Sequence, residues 1–150
     1  MFSFTIAETF TNAPVNLISW VTDLMVCDVG GRQMLYAATR AGGGVIALNI
    51  DGAMVAQDSV SFSITSQLPV AGTLERITVN GRTHLVVSGS NQNAPLTYRV
   101  TGTGDLDGAL KLAGGLTGVI AAHEVISLGG QSFFYAARAN EGVLRAYAID

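Results

Sequence analysis

The strongest constraint on the fold of this chain is a segment that occurs three times along its sequence. DLMVCDVGGRQMLYAATR (23–40) aligns with LERITVNGRTHLVVSGS (74–90) and with HEVISLGGQSFFYAAR (123–138). The alignment is anchored on turn glycines 50 and 49 residues apart, which are Gly31, Gly81 and Gly130. A repeat of this length favours folds in which each copy forms one unit and packs against its neighbours.

Other positions keep the same spacing in all three copies. Five residues after each anchor glycine come Tyr36, Val86 and Tyr135. Further along, the aligned segments are VIALNID (45–51), LTYRVTG (96–102) and LRAYAID (144–150). We therefore expect the three copies to adopt the same local structure.

Each copy has the pattern of a series of β-strands. Short apolar and β-branched runs are separated by Gly-Gly or Asn-Gly, which supply the positive φ angles of tight hairpin turns. The first copy is predicted to hold strands at 24–29, 32–39, 45–50 and 53–60. Residues 66–73 and 113–122 are then predicted to be loops that connect one copy to the next.

Four antiparallel strands per unit, at a period near 50 residues, are typical of a β-propeller blade. We predict an all-β domain over 1–150 that forms a partial ring of about three blades, because neighbouring blades must cover the apolar faces of each sheet. The predicted parts are an N-terminal strand and lead-in at 1–22 and blades at 23–60, 74–113 and 123–150, the last one incomplete. Residues 2–10 (FSFTIAETF) alternate as a strand would and are expected to complete a blade across the ring.

Composition excludes several classes of protein. A hydrophobic fraction of 49% with 13% charged residues argues against a disordered tail. A net charge of −3 without a basic cluster argues against a nucleic-acid partner. The single cysteine, Cys27, excludes an internal disulfide and a cysteine-rich zinc site. No apolar window approaches the roughly 20 residues of a membrane helix, so membrane insertion is not expected, and MFSFTIAETF lacks the pattern of a classical signal peptide.

Two segments carry a family resemblance, YAATRAGGGVIALNIDG (36–52) and FYAARANEGVLRAYAID (134–150). The pattern resembles lactonase-like propellers, in particular the propeller region of secreted haemolysin-type (RTX) calcium-binding proteins of proteobacteria. The resemblance covers 23–150 and implies an extracellular or cell-surface location. The repeated calcium-binding nonapeptide of that family is absent, and GTGDLDG (102–108) is its nearest approach.

The candidate metal ligands of the sequence also have structural interpretations. Asp105, Asp107 and Gly108 are similar to part of a calcium loop, but Thr103 and Gly114 occupy the positions where an EF-hand needs its first and last ligands. We predict an ordinary turn there, because aspartates are common where the backbone turns.

The carboxylates Glu75 and Glu124 hold equivalent positions at the start of their predicted strands, and Asp23 lies on the same face as the matching Met25. The first strand of a propeller blade lines the central channel, so the resemblance to lactonase-like hydrolases implies that these carboxylates hold a divalent cation such as calcium. The alternative is a solvated rim, which is favoured because Met25 replaces the acid in register.

Other chemically active residue types are predicted to be structural. His84 lies inside a predicted strand and His123 at the start of another, and neither accompanies a Gly-x-Ser-x-Gly nucleophile motif. Cys27 is expected to pack in a strand. The run Gly42-Gly43-Gly44 lacks a Walker lysine and a following helix, so it is predicted to be a turn.

The loops between the second and third strands are the candidate binding surface, because recognition concentrates in loops held by a rigid scaffold. Their polar residues are Arg40, Asn91, Gln92, Asn93, Arg138, Asn140 and Glu141. The predicted function is a non-enzymatic binding or structural module, without a cofactor, that recognises a protein or glycan surface on a secreted or surface-associated bacterial protein. The alternatives are a lactonase-like metal-dependent hydrolase and a structural subunit of a larger particle, in which further blades come from another part of the protein or another chain.

Overall fold

A computed structural model describes most of the chain, and its described elements are all β-strands. The described residues are 5, 21–39, 44–52, 55–61, 71–89, 95–111, 120–138 and 141–149. The strands form three antiparallel sheets, which confirms the prediction of an all-β, antiparallel structure. Within these ranges, no helix has the length and apolar character needed to cross a membrane.

The strands of each sheet follow one another along the chain. Sheet I contains β1 (Val21–Val29), β2 (Arg32–Thr39), β3 (Gly44–Asn49) and β4 (Val55–Ser61) in that order. Sheet II contains β5 (Ala71–Val79), β6 (Arg82–Gly89), β7 (Leu96–Val100) and β8 (Leu106–Lys111) in the same order. Sheet III has three strands, which are β9 (Ile120–Leu128), β10 (Gln131–Arg138) and β11 (Val143–Ile149), with β10 in the middle.

Aligned sequence positions pair in the same way in each sheet. Across the first two strands, the pairs are Met25 with Tyr36, Glu75 with Val86, and Glu124 with Tyr135. The hairpin between β5 and β6 turns at Asn80-Gly81, where φ is 50° and 71°. Two successive positive φ angles are what a type I′ turn requires, and this explains the Asn-Gly pair.

The first strand of each sheet begins earlier than the sequence predicts. β1 begins at Val21 instead of 24, while β5 and β9 begin at Ala71 and Ile120, inside the segments predicted as loops. Near these ends the pairing register shifts at Val21/Asp23, at Ala71/Thr73 and opposite Ala137/Arg138. An extra residue at a β-bulge lets pairing continue past the point where the alternation in the sequence breaks.

The boundaries of the other strands in sheet I differ less from the prediction. β2 matches 32–39, whereas β3 and β4 are displaced by one or two residues from 45–50 and 53–60. The segment 2–10 and the pair Gly42-Gly43 lie outside the described residues, while Gly44 begins β3.

Alternate residues of each sheet face opposite sides, and we name the two sides by the second strand. The leading face carries Tyr36 in sheet I, Val86 in sheet II and Tyr135 in sheet III, and the trailing face is the opposite one. The leading face of sheet I packs on the trailing face of sheet II, which buries one continuous core. Its members are Cys27, Val29, Met34, Tyr36, Ala38, Val45, Ala47, Leu74, Leu85, Val87, Leu96, Tyr98, Val100 and Leu106.

The leading face of sheet II packs in the same way on the trailing face of sheet III. The second core contains Ile77, Val86, Ile120, Phe134 and Ala136, with Val79, Val125, Tyr147 and Ile149 packed at its margin. The first strands of the three sheets are in contact with one another, since β5 touches both β1 and β9. The sheets are therefore stacked in chain order with their first strands side by side.

A buried hydrogen bond adds to the contact between sheets I and II. The Tyr36 hydroxyl donates to the carbonyl oxygen of Gly104, in the turn between β7 and β8, at 2.9 Å. A Cβ on Gly104 would lie 2.8–2.9 Å from three atoms of the Met34 side chain, and Gly104 has a φ of 94°. The turn therefore approaches sheet I at a distance that favours glycine.

Candidate functional site

The first strands bring several chemically active side chains of the described residues into one region. We call this set the first-strand cluster. It consists of Asp23 and Cys27 on β1, Thr73, Glu75 and Arg76 on β5, and His123 and Glu124 on β9. The contacts of β5 with β1 and β9 place these residues near one another, so the three predicted carboxylates Asp23, Glu75 and Glu124 belong to the same region.

Asp23 links sheet I to sheet II. Its Oδ2 accepts a hydrogen bond from the backbone N–H of Leu74 at 2.8 Å, and its Oδ1 accepts one from the N–H of Leu24 at the same distance. Both carboxylate oxygens are therefore bonded to the backbone, and the Leu74 bond crosses between the two sheets. The carboxylate therefore has a structural role, and its position in the β1 bulge explains this role.

The pKa of Glu75 reflects the charges and the burial within the cluster. Burial raises its pKa, and the negative charges of Glu124 and Asp23 raise it further, against the opposing hydrogen bond from the Arg76 N–H and the charge of Arg76. Glu75 and Glu124 lie in the middle of β5 and β9 and not at the strand starts predicted from sequence, because both strands extend through their bulges. The ionised form of Glu75 is thus disfavoured by its surroundings.

Replacing Glu75 with glutamine should therefore stabilise the protein at pH 7. The amide keeps the shape of the side chain and removes a partly buried charge that two carboxylates repel. The gain should be under about 1 kcal/mol, because solvent and salt screen a partly exposed group. Urea denaturation at low salt measures it, and the gain should shrink in 0.5 M salt. A loss of stability at low salt would contradict this account. Glu124→Gln is the control, because it removes the charge of a more exposed glutamate.

The described residues do not assemble the metal site of the alternative interpretation. Across the described ranges, no three His, Cys, Asp or Glu side chains lie close enough together to hold a metal ion. Asp105 and Asp107 lie at the connection from β7 to β8, where Asp105 accepts a hydrogen bond from the Thr103 hydroxyl at 2.6 Å and Asp107 forms an ion pair with Arg99. The hydrolase hypothesis stays a prediction.

A group of polar side chains joins sheets II and III, and it adds Thr73 and Ser88 to the candidate residue His123. The hydroxyls of Thr73 and Ser88 lie 2.6 Å apart, and they lie 3.2 Å and 2.9 Å from His123 Nδ1. Ser88 is buried. His123 faces sheet II and its ring stacks on Phe134, with 5.1 Å between ring centroids. The group holds two sheets together in the way that Asp23 joins the other pair.

His123 is held in its neutral form. Burial lowers its pKa to about 4, although the negative charge of Asp23 opposes the shift. Its Nε2 atom is buried and has no hydrogen-bond partner among the described residues. The charged ring would carry a proton on both nitrogens, and the one on Nε2 would have no acceptor among the described residues, so burial favours the neutral ring.

The other two candidates have different surroundings. His84, inside β6 as predicted, has its Nδ1 3.1 Å from the carbonyl oxygen of Arg82. Cys27 lies in the core between sheets I and II, and burial raises the pKa of its thiol against the opposing charge of Arg76. A buried thiol with a raised pKa is a poor nucleophile.

The predicted binding loops are described only between β10 and β11. There, Arg138 and Glu141 form an ion pair at 2.8 Å, and Arg145 lies 3.8 Å from the same carboxylate oxygen. The remaining predicted loop residues lie outside the described ranges, and they are Arg40, Asn91, Gln92, Asn93 and Asn140.

A polar groove of about 300 Å³ lies at the opposite ends of the strands, between sheets I and II. Its lining includes the two turns that join the first and second strands, with Asp28 and Gly30 from sheet I and Gly81, Arg82 and Thr83 from sheet II. No sequence pattern indicates this groove, because a groove between two turns depends on how the sheets stack.

Comparison of the chain with protein-family models and with curated proteins finds no match. The resemblance to RTX propellers therefore stays a hypothesis that rests on the sequence pattern alone.

Proposed function

We propose that this chain is a non-enzymatic β-propeller module that binds a protein or glycan surface through the loops between the second and third strands of its blades. The secreted or surface-associated bacterial setting follows from the resemblance to RTX propellers and is part of the proposal. The observation that carries it is the use of the chemically active residues in packing between sheets.

Three residues of the types that catalysis uses have structural contacts in this protein. Both oxygens of Asp23 accept backbone hydrogen bonds, and His123 is neutral and bonded to Thr73 and Ser88 between two sheets. Cys27 is buried in the core. A general base must reach the proton it removes and a nucleophile must reach its substrate, so these residues favour a structural role.

The stacking of the sheets supports the ring architecture. Sheets I and II have the same strand order, and both their first strands and their last strands, β4 and β8, are in contact. In a contact of this kind, the neighbouring blades cover the two faces of each sheet, as the radial repetition of a propeller requires. The strand ends that the candidate loops connect then lie at the same end of the stack.

The candidate loops carry side chains suited to hydrogen bonding. Arg138 is held by Glu141 at the start of the β10–β11 connection, which fixes the direction of its guanidinium group. Arginine, asparagine and glutamine offer several donors and acceptors in a planar arrangement that suits sugar hydroxyls and peptide groups. Affinity would come from several such loops acting together.

Binding to an array of defined glycans and to a panel of purified extracellular matrix proteins tests the proposal. We expect a specific ligand whose binding falls at least tenfold when Asn91, Gln92 and Asn93 are replaced by alanine. Arg82→Ala is the matched control, because Arg82 lies in the groove at the opposite strand ends, and it should leave binding unchanged. Binding that survives the loop replacement and is lost in Arg82→Ala would overturn the assignment of the binding end.

Elemental analysis of the purified protein separates this proposal from the hydrolase alternative. A stoichiometric divalent cation that is lost in Glu75→Ala would favour the hydrolase and contradict the proposal.

A further inference from the structure

The leading face of sheet III carries large apolar side chains that are exposed. Ile126 and Leu128 on β9 are 40% and 55% exposed, and Leu144 on β11 is 69% exposed. The leading face of sheet I, in contrast, packs on sheet II and is buried. Exposed apolar surface that extends over several residues marks a binding site more often than surface that is merely uncovered. This face is therefore a candidate for binding a ligand.

A pocket of about 250 Å³ lies on this face, near the strand ends that the β10–β11 connection joins. It is lined by Ala122, His123, Glu124, Tyr135, Ala137 and Leu144. Two rows of residues that pair across the strands supply most of this lining. Ala122, Ala137 and Leu144 form the outer row, and Glu124 and Tyr135 form the inner one. The alanine side chains are short and stand beside longer ones, which explains why the face is indented here.

Glu124 is the charged side chain of this lining. It pairs directly across the strands with Tyr135, so the carboxylate and the aromatic ring are neighbours on one face. In the part of the chain that the structure describes, the ion pairs use the acids Asp107 and Glu141, and none uses Glu124. The rest of the lining is aliphatic apart from His123, which is neutral. A carboxylate in such surroundings attracts a cation more strongly than it would in open solvent, because a less polar medium screens charge less.

The charges around the pocket also favour a cation. Glu124 and Asp23 lie close enough to Glu75 for their negative charges to raise its pKa. Arg76 is the only cationic member of the first-strand cluster, against these three carboxylates. The electrostatic potential at the pocket is therefore negative, and an anionic ligand would be repelled.

The lining separates an organic cation from a metal ion. Calcium takes about six to eight oxygen ligands, whereas this pocket offers one carboxylate, and no group of three metal-binding side chains occurs within the described ranges. An organic ammonium group needs only one counter-charge and is also attracted to the face of an aromatic ring. The aliphatic side chains of Ala122, Ala137 and Leu144 would contact the carbon body of such a molecule.

We propose that the pocket on sheet III binds a small organic cation, which is an ammonium group carried on a short apolar body. The ammonium group contacts the Glu124 carboxylate and the Tyr135 ring, and the apolar body packs on Leu144. Pockets for drug-sized ligands have volumes of about 300–1,000 Å³, so the volume of about 250 Å³ fits a smaller molecule. This site is separate from the loop residues that are proposed above to bind a protein or glycan surface.

Titration of ¹⁵N-labelled protein, followed by NMR, tests this inference with three probes. Phenethylammonium, 2-phenylethanol and 3-phenylpropionate share an apolar body and differ in charge. We expect phenethylammonium to shift the amide signals of Glu124, Tyr135 and Leu144 in a saturable way, with an affinity about tenfold higher than that of 2-phenylethanol. 3-Phenylpropionate should bind more weakly than either. Equal affinities for the three probes, or no saturable shift at these residues, would overturn the inference.

Two variants locate the charge that selects the cation. Glu124→Gln keeps the shape of the side chain, so the affinity for phenethylammonium should fall about tenfold while that for 2-phenylethanol stays the same. Glu75→Gln is the matched control, because Glu75 belongs to the same cluster but does not line the pocket, and solvent screening should limit its effect to about twofold. The amide spectrum of each variant verifies that it is folded. Equal losses of affinity in the two variants would assign the attraction to the cluster as a whole and would contradict a site at Glu124.

Discussion

Replacing Tyr36 with alanine should lower the free energy of unfolding by about 3–5 kcal/mol, the usual cost of removing a large aromatic side chain from a core. Tyr36 is fully buried between sheets I and II. The substitution leaves a cavity and also removes the donor to the Gly104 carbonyl oxygen, which is 2.9 Å away. The midpoint of urea denaturation, with the slope unchanged, measures the loss.

Two variants separate the contributions to this loss. Tyr36→Phe removes only the hydroxyl and should cost about 1–2 kcal/mol, because the Gly104 carbonyl loses its buried donor. Tyr135→Ala is the matched control at the equivalent position of sheet III, where the side chain is only half-buried, and it should cost about 1 kcal/mol. Equal losses for Tyr36→Ala and Tyr135→Ala would show that packing between sheets I and II is not the source.

The strands could be predicted from sequence because the relevant signals are local. Asn80-Gly81 fixes one hairpin, and the apolar runs around it alternate with a period of two. β2 was predicted over the residues where the structure has it. The starts of β1, β5 and β9 were predicted too late, because a β-bulge interrupts the alternation without ending the pairing.

The distribution of roles within the candidate site was less predictable. Alignment of the copies placed Glu75 and Glu124 at equivalent positions, and the structure does bring them within electrostatic reach. The hydrogen bond between Asp23 and the Leu74 backbone could not be predicted, because it joins two sheets whose stacking the sequence does not specify. A signal for His123 was present, since it aligns with Leu24 and Leu74. A histidine at a position that is otherwise leucine indicates a buried site with polar partners.

Acidification should destabilise the protein through His123. The pKa of this group falls from 6.5 to about 4 on folding, so the unfolded chain binds more protons between these two values and the stability falls with the pH. The stability that neutral His123 contributes should be fully present above about pH 6.5. It should decline as the pH falls toward about 4, and the decline should level off below that pH. The shift corresponds to about 3 kcal/mol, at roughly 1.4 kcal/mol for each pH unit. Urea denaturation at a series of pH values measures the slope.

His123→Leu isolates this contribution, since leucine occupies the aligned positions in sheets I and II. Thr73 and Ser88 lie 2.6 Å apart and still bond to each other without the ring, so stability at pH 7.5 should change by no more than about 1 kcal/mol. The raised pKa of Glu75 acts in the opposite direction in acid, and it is present in both proteins, so the difference between them reports His123 alone. His123→Leu should therefore lose the slope that the wild-type protein shows between pH 6.5 and 4. If His123→Leu kept that slope, the acid sensitivity would come from another group and His123 would not be the neutral link between sheets II and III.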